Sequence, residues 1–269
     1  MANHVRRLSV FSFLLATTSL AALSIARADD ASTNDVEAPK ATQLDVVTST
    51  ATRNPTAIND VAGTVSVITA EDLERRNAHR MQDIVRYEPG VSVGNSPNRT
   101  GATNFTIRGI GGNRVLTLID GLSTPDFPIT SEGAGTYTRD FIDLDSMKRI
   151  EIVRGPSSAL YGSDGIGGVV AYVTKDPSDY LEGLDKDWYA SLKGGYDSAD
   201  DSFMESGTAA MRAGNVEILG LYTRRDGHEA DLSSSGTANP QDYGSNAFLG
   251  KLIFKGNDAN ALKFTGQYD

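Results

Sequence analysis

Beyond residue 184 the chain alternates apolar and polar side chains with a period of two, and this pattern limits what it can build more than any other feature. Trp188, Ala190, Leu192, Gly194 and Tyr196 share one face of an extended segment, with Tyr189, Ser191, Lys193 and Gly195 on the other. Phe248, Gly250, Leu252 and Phe254 repeat this against Ala247, Lys251 and Lys255, and Leu262, Phe264, Gly266 and Tyr268 repeat it opposite Lys263, Thr265 and Gln267. Two less regular strands, 203–213 and 216–225, fit between them. Strands of about ten residues with one apolar and one polar face match a transmembrane β-barrel with a wet interior. A soluble sandwich also alternates, so connection lengths have to discriminate. Only Gly214 and Asn215 join the second and third strands, residues 226–245 separate the third from the fourth, and 256–260 form a short link again. Short turns alternating with long loops favour the barrel.

The N-terminus sets the compartment. Arg6 and Arg7 precede an apolar stretch, 8–25, and then Ala26-Arg27-Ala28, the layout of a secretory signal. A membrane anchor is the competing reading, since the stretch approaches the roughly 20 residues that cross a bilayer. Its dilution with Ser and Thr and its small-residue cleavage site favour removal. Losing residues 1–28 takes three of the 25 basic residues and no acid, leaving 22 against 35, a net charge of −13. Such a balance opposes nucleic-acid binding, which needs clustered positive charge. The chain has no cysteine, so disulfides and thiolate metal sites are excluded. No later window holds 18 consecutive apolar residues, so a membrane-embedded form has to be a β-barrel.

Between these ends the sequence predicts a small α+β domain over residues 63–176, preceded by a flexible arm, 29–62. Within the arm, Leu44-Asp45-Val46-Val47-Thr48-Ser49 is a short β-prone segment. Residues 64–69 alternate as a strand, Thr69 and Asp72 have the spacing of a helix cap, and Glu88-Pro89-Gly90 stops a second helix begun near Met81. Strands are expected at 91–93, 105–108, 114–119, 150–153 and 169–174, a helical turn at 144–148, and a long loop at 123–139. A structureless loop of that length in a compact domain is more often functional than incidental.

The run Arg149-Ile-Glu-Ile-Val-Arg-Gly-Pro-Ser-Ser-Ala-Leu-Tyr-Gly162, leading into Val169-Val-Ala-Tyr-Val173, is the most informative motif. With Thr106-Ile-Arg-Gly109 and Arg114-Val-Leu-Thr-Leu-Ile-Asp-Gly121, in this order, it resembles the plug domain of TonB-dependent outer-membrane receptors. Asp120-Gly-Leu-Ser-Thr-Pro-Asp126, Thr174-Lys-Asp-Pro-Ser178 and Tyr222-Thr-Arg-Arg-Asp-Gly-His-Glu229 look most like the haem and haemoglobin receptors of that family. The resemblance implies an α+β plug followed by the first antiparallel strands of a 22-stranded barrel, here 177–269. It implies uptake of haem, haem from haemoglobin, or a ferric siderophore across the Gram-negative outer membrane, with the ligand transported and no cofactor permanently bound. Leu44, Asp45, Val46, Val47, Thr48 and Ser49 resemble a Ton box, which TonB would capture by adding it as a strand. Arg108 and Arg154 fall where the family's plug arginines pair with carboxylates of the barrel wall, a latch for the resting plug; lining a water-filled cavity is the plainer alternative. Gly109, Asp120, Gly121, Glu151, Gly155, Pro156, Tyr161 and Gly162 carry the plug motifs.

Haem ligation has few candidates. His4 leaves with the signal, His79 reads as structural, and His228 and Tyr137 lie in loops that face the exterior. An enzyme is opposed by the scarcity of histidines and by the glycines of 162–168, which lack the strand-to-helix setting of a dinucleotide loop. Neither a secreted hydrolase nor a soluble plug-like interaction module accounts for the alternating strands that end the chain. Five strands are too few to close a barrel, and an open sheet edge is costly in lipid. The expectation is therefore a fragment of a receptor that neither inserts nor transports by itself.

Overall fold

The structure is a computed structural model that describes residues 47–61, 63–96, 101–124, 142–162, 164–198, 200–228, 242–257 and 260–268. The signal segment, Leu44, Asp45, Val46, Tyr137 and most of the two long loops lie outside the described residues. The chain opens with β1 (Val47–Thr48), paired antiparallel to β2 (Thr56–Ala57). Next come β3 (Thr64–Thr69), α1 (Ala70–Arg75) and α2 (Met81–Val85). Thr69 and Asp72 form the capping box that the sequence predicts, each side chain bonding the other's backbone N–H. β4 (Val91–Ser96), β5 (Gly101–Ile107) and β6 (Ile110–Gly111) make a small three-stranded sheet. β7 (Val115–Ile119), β8 (Leu122–Ser123), β9 (Met147–Arg154), α3 (Ser158–Tyr161) and β10 (Gly168–Thr174) follow.

The main plug sheet has the order β3-β9-β10-β7-β8, with β10 parallel to β7 and the other neighbours antiparallel. β10 is buried on both faces, which is why Val169 to Val173 reads as an unbroken apolar run. Val170 and Tyr172 face a core with Ile68, Ile84, Ile107, Ile150 and Ile152, while Val169 and Ala171 pack with Leu116 and Leu118 on the other side. Two glycines are required by geometry. Gly168 has φ +147°, and a Cβ there would lie 2.3 Å from the Val153 carbonyl oxygen. Asp120 and Gly121, with φ of +47° and +84°, form the two-residue turn between β7 and β8.

After the plug, α4 (Pro177–Leu181) leads into β11 (Trp188–Asp197), β12 (Ser202–Ala213), β13 (Val216–Gly227), β14 (Tyr243–Asn257) and β15 (Asn260–Tyr268). These five form one antiparallel sheet in sequence order, with β11 and β15 at its edges, so no closed barrel exists among the described residues. The strands align the apolar faces into rows: Leu192 stands beside Gly207, Tyr222 and Phe248, and Met211 beside Ile218 and Leu252. Leu192, Phe203, Met211, Ile218, Phe248, Phe254 and Phe264 are exposed on this outer face. Met204, Ala210, Leu219, Leu221, Thr223, Leu249 and Lys251 are buried on the opposite face.

Three expectations need correction. The arm does not run free to residue 62: residues 47–61 hold regular structure and Thr48 and Thr50 are buried, because plug groups satisfy their polar atoms. The chain after 176 does not run straight into wall strands, since α4 intervenes and docks Leu181 on the wall. The inner face of the sheet is also not uniformly wet. Leu181 packs there with Ala210, Leu219, Leu221 and Leu249, and Tyr180 stacks on Tyr189 at 5.0 Å between ring centroids. Period-two polarity breaks where Leu181 covers the wall, because those wall positions are apolar.

Candidate functional site: the plug's contacts with its arm and with the wall

Glu151 sits mid-strand in β9 and is fully buried. Its Oε2 accepts hydrogen bonds from the Thr48 hydroxyl at 2.5 Å, the Ser49 amide at 3.1 Å and the Thr50 amide at 2.9 Å. Its Oε1 accepts from Arg149 Nε at 2.7 Å. Burial alone would raise its pKa, but these donors outweigh burial and hold the carboxyl below its ordinary value. Tyr161 donates its hydroxyl to the Thr50 carbonyl at 2.8 Å, and the Arg53 guanidinium lies over the Tyr161 ring. Glu151 and Tyr161, singled out in the sequence as motif residues, thus converge on the end of the candidate TonB-binding segment and the residue after it.

A second cluster joins plug to wall. Lys251 of β14 is buried and donates to Asp176 Oδ1 at 2.8 Å and to the Thr174 carbonyl at 3.2 Å, with Asp120 Oδ2 at 3.6 Å. Asp120 in turn accepts from the Thr174 amide and hydroxyl, which ties the β7–β8 turn to the end of β10. Lys263 of β15 also reaches Asp176, at 2.7 Å. Burial tends to raise the Asp176 pKa, but the two lysines reverse the effect and lower it. Elsewhere Arg80 pairs with Asp200 at 2.8 Å, Lys193 pairs with Asp145, and Arg225 donates to the His79 carbonyl at 3.1 Å. Asp143 accepts from Thr223 Oγ1 at 3.0 Å, and burial, reinforced by the nearby Asp145 charge, pushes its pKa up to about 6.

Among the described residues Arg154 bonds Glu88 Oε2 at 2.7 Å and Ser66 Oγ at 2.8 Å, both within the plug. Its side chain is 5% exposed, and Glu88 lies close enough to neutralise it without the wall. Arg108 is exposed, with φ +49° and a long contact to Thr64 Oγ1 at 3.4 Å. Among the described residues the plug–wall ion pairs run through Lys251, Lys263, Lys193 and Arg80. Gly109, Gly155 and Gly162 occupy positive-φ turn positions, and Pro156 follows Gly155 in the turn after β9. His228 pairs with Asp242 at 2.7 Å on an exposed surface. Among the described residues no group of three or more His, Cys, Asp or Glu could hold a metal ion, and no helix is long and apolar enough to cross a membrane.

A small α+β plug seated on the inner face of an antiparallel sheet whose outer face is apolar is the class that this fold defines. Residues 57–169 match the model of the TonB-dependent Receptor Plug Domain. The chain is 36% identical over 220 residues to hemoglobin and hemoglobin-haptoglobin-binding protein C of Haemophilus influenzae, covering 72% of this chain and 20% of that relative. Hemoglobin-binding protein A of the same species is 38% identical over 208 residues, covering 74% and 20%. The FrpB iron transporter of Neisseria meningitidis superposes with a TM-score of 0.62 at 21% identity, covering 73% of this chain and 30% of that one. The ferripyoverdine receptor of Pseudomonas aeruginosa does so at 0.64 and 18%, covering 82% and 27%. At these identities the solved structures establish the fold alone. The chain carries the plug domain of the TonB-dependent receptor family and spans about a fifth of the length of the curated relatives it matches.

Proposed function

We propose that this chain is the plug and first wall strands of an outer-membrane receptor that takes up haem, or haem drawn from haemoglobin, with energy delivered through TonB. The observation that carries the reading is the 36% identity, over 220 residues, to a relative named for binding haemoglobin and haemoglobin–haptoglobin. The geometry supports the mechanical half of it. The plug holds the arm on one side through Glu151 and the wall on the other through Lys251, so a pull on the arm loads β9 while β10 is tied to the wall. TonB adds residues 44–49 as a strand, and the apolar outer face sits in the lipid of the outer membrane. The plug motifs are those of a transporter, and no catalytic residues are assigned.

A ferric siderophore is the second reading, favoured by the fold shared with the ferripyoverdine receptor. The two separate in one experiment. Cells producing a complete receptor that includes this chain are grown with haemoglobin, haem or a ferric siderophore as sole iron source, with TonB present or deleted. Growth on haemoglobin or haem that requires TonB supports the first reading. Growth on the siderophore alone replaces it with the second, and growth independent of TonB rejects both.

A further inference from the structure

We propose that the seam between plug and wall contains a proton-operated joint, in which Asp143 holds the turn before β9 against β12 and β13 more firmly in acid than at neutral pH. The inference concerns the seam alone and stands whichever cargo the receptor carries. Its basis is a row of three side chains. Thr223 Oγ1 of β13 lies 3.0 Å from Asp143 Oδ2 and 3.1 Å from Ser206 Oγ of β12, and Thr223 and Ser206 are both buried. A hydroxyl has a single proton to give, so the row runs in one of two directions. With the carboxyl ionised, Ser206 donates to Thr223 and Thr223 donates to Asp143. With the carboxyl protonated, Asp143 donates to Thr223 and Thr223 donates to Ser206. Both states are hydrogen-bonded, and the balance between them falls to charge.

Charge disfavours the ionised state. Asp145 adds a second carboxylate to the same turn, and the cations that face the turn are engaged elsewhere. Lys193 of β11 pairs with Asp145, and Arg225 of β13 donates to the His79 carbonyl. Lys175, just after β10, has its Nζ over the Tyr180 ring and also faces Glu74 of α1. Arg225 and Thr223 favour the Asp143 charge, but burial and Asp145 outweigh them, so the carboxyl of the closed joint takes up its proton near pH 6. Opened to water, it does so near the ordinary 3.8. The closed form therefore holds an extra proton between these values, and opening becomes easier as pH rises through them. The backbone of the turn reports the joint directly. The Ser146 amide donates to the Asp143 carbonyl at 3.2 Å, and the Lys175 amide donates to the Ser146 carbonyl at 2.9 Å.

The test uses the full 269-residue chain in detergent micelles, as wild type, Asp143→Asn and His79→Gln. His79 is included because its ring lines the neighbouring cavity together with Arg80 and Arg225. Hydrogen exchange is followed at the Ser146 and Lys175 amides at pH 5 and pH 7.5, with Val170 and Tyr172 of β10 as internal references. Rates are expressed as protection relative to a free amide at the same pH, which removes the pH dependence of exchange itself. In the wild type, protection at 146 and 175 should fall by about tenfold from pH 5 to pH 7.5 while β10 stays unchanged. Asp143→Asn, which has no proton to lose, should show equal protection at both pH values, and His79→Gln should keep the wild-type fall. Constant protection in the wild type overturns the joint, as does an equal fall in β10. A fall that persists in Asp143→Asn, or one that His79→Gln abolishes, assigns the effect to another group and overturns it too. Should Asp143→Asn fail to fold, the wild type and His79→Gln still decide the matter.

Discussion

At the scale of single residues, the motif that identified the plug contains groups whose partners lie far away in sequence. Glu151 was legible as a carboxylate between Ile150 and Ile152 in a strand, but its partners Thr48 and Thr50 are about a hundred positions earlier, and no local period links them. Arg154 was legible as an unusual charge at a strand end, but its partner inside the plug was not. Glu88, read only as part of a helix stop, is the group that neutralises it. Because the pair is largely buried, Arg154→Met should destabilise the plug by about 3–5 kcal/mol, since it strands the Glu88 charge. The double variant with Glu88→Leu should recover most of that loss, as read from urea unfolding. Asp143 gives a pH signature of the opposite sign to Glu151. Its folded-state pKa of about 6 lies above the ordinary 3.8, so the folded chain holds an extra proton between those values. Its contribution is most favourable below that window and is lost as pH rises through 6, a swing of about 3 kcal/mol. The difference in stability between wild type and Asp143→Asn, followed from pH 4 to 7, should show that swing; a flat difference would contradict it.

At the scale of elements, the strands and the capped helix were readable because each carries its own signal. β3 matches the alternating run 64–69, α1 begins at its capping box, and the five wall strands follow period two. α4 was missed although Asp176-Pro177-Ser178-Asp179 is a helix start, with proline at the first helical turn and a reciprocal aspartate cap. The reason is length: five residues cannot display a helical period, and tertiary packing of Leu181 sustains the element. Leu181→Ala should therefore cost about 2–5 kcal/mol, and should loosen the plug from the wall before it unfolds the plug core. Limited proteolysis after Leu181 would detect that order. Lys251 was visible as a polar residue on an inward face, yet its two acceptors come from β10 and the start of α4, and a third charge, Asp120, from the β7–β8 turn. Lys251→Met should leave the wall intact and free the β7–β8 turn, with hydrogen exchange rising near Asp120 and Thr174.

At the scale of the whole molecule, two surfaces of one sheet do opposite things. The inward face is closed by the plug through an apolar seam and a set of ion pairs, and the outward face presents Leu192, Met211, Ile218, Phe254 and Phe264 uncovered. That division was legible in the alternation of residues 188–268. The docking of the plug on the inner face was not, because period two names two faces without saying what covers either. The most direct test of the account labels single cysteines at Leu192, Ile218 and Phe254 on one face and at Leu219 and Thr223 on the other, in the full chain held in detergent micelles. Nitroxide accessibility to an apolar relaxation agent in the micelle and a polar one in water is then compared. The account predicts that the first set meets the micelle interior and the second is shielded from both. Outer positions buried against protein, or inner ones open to water, would mean that the strands form a soluble core of their own and that the receptor reading is wrong.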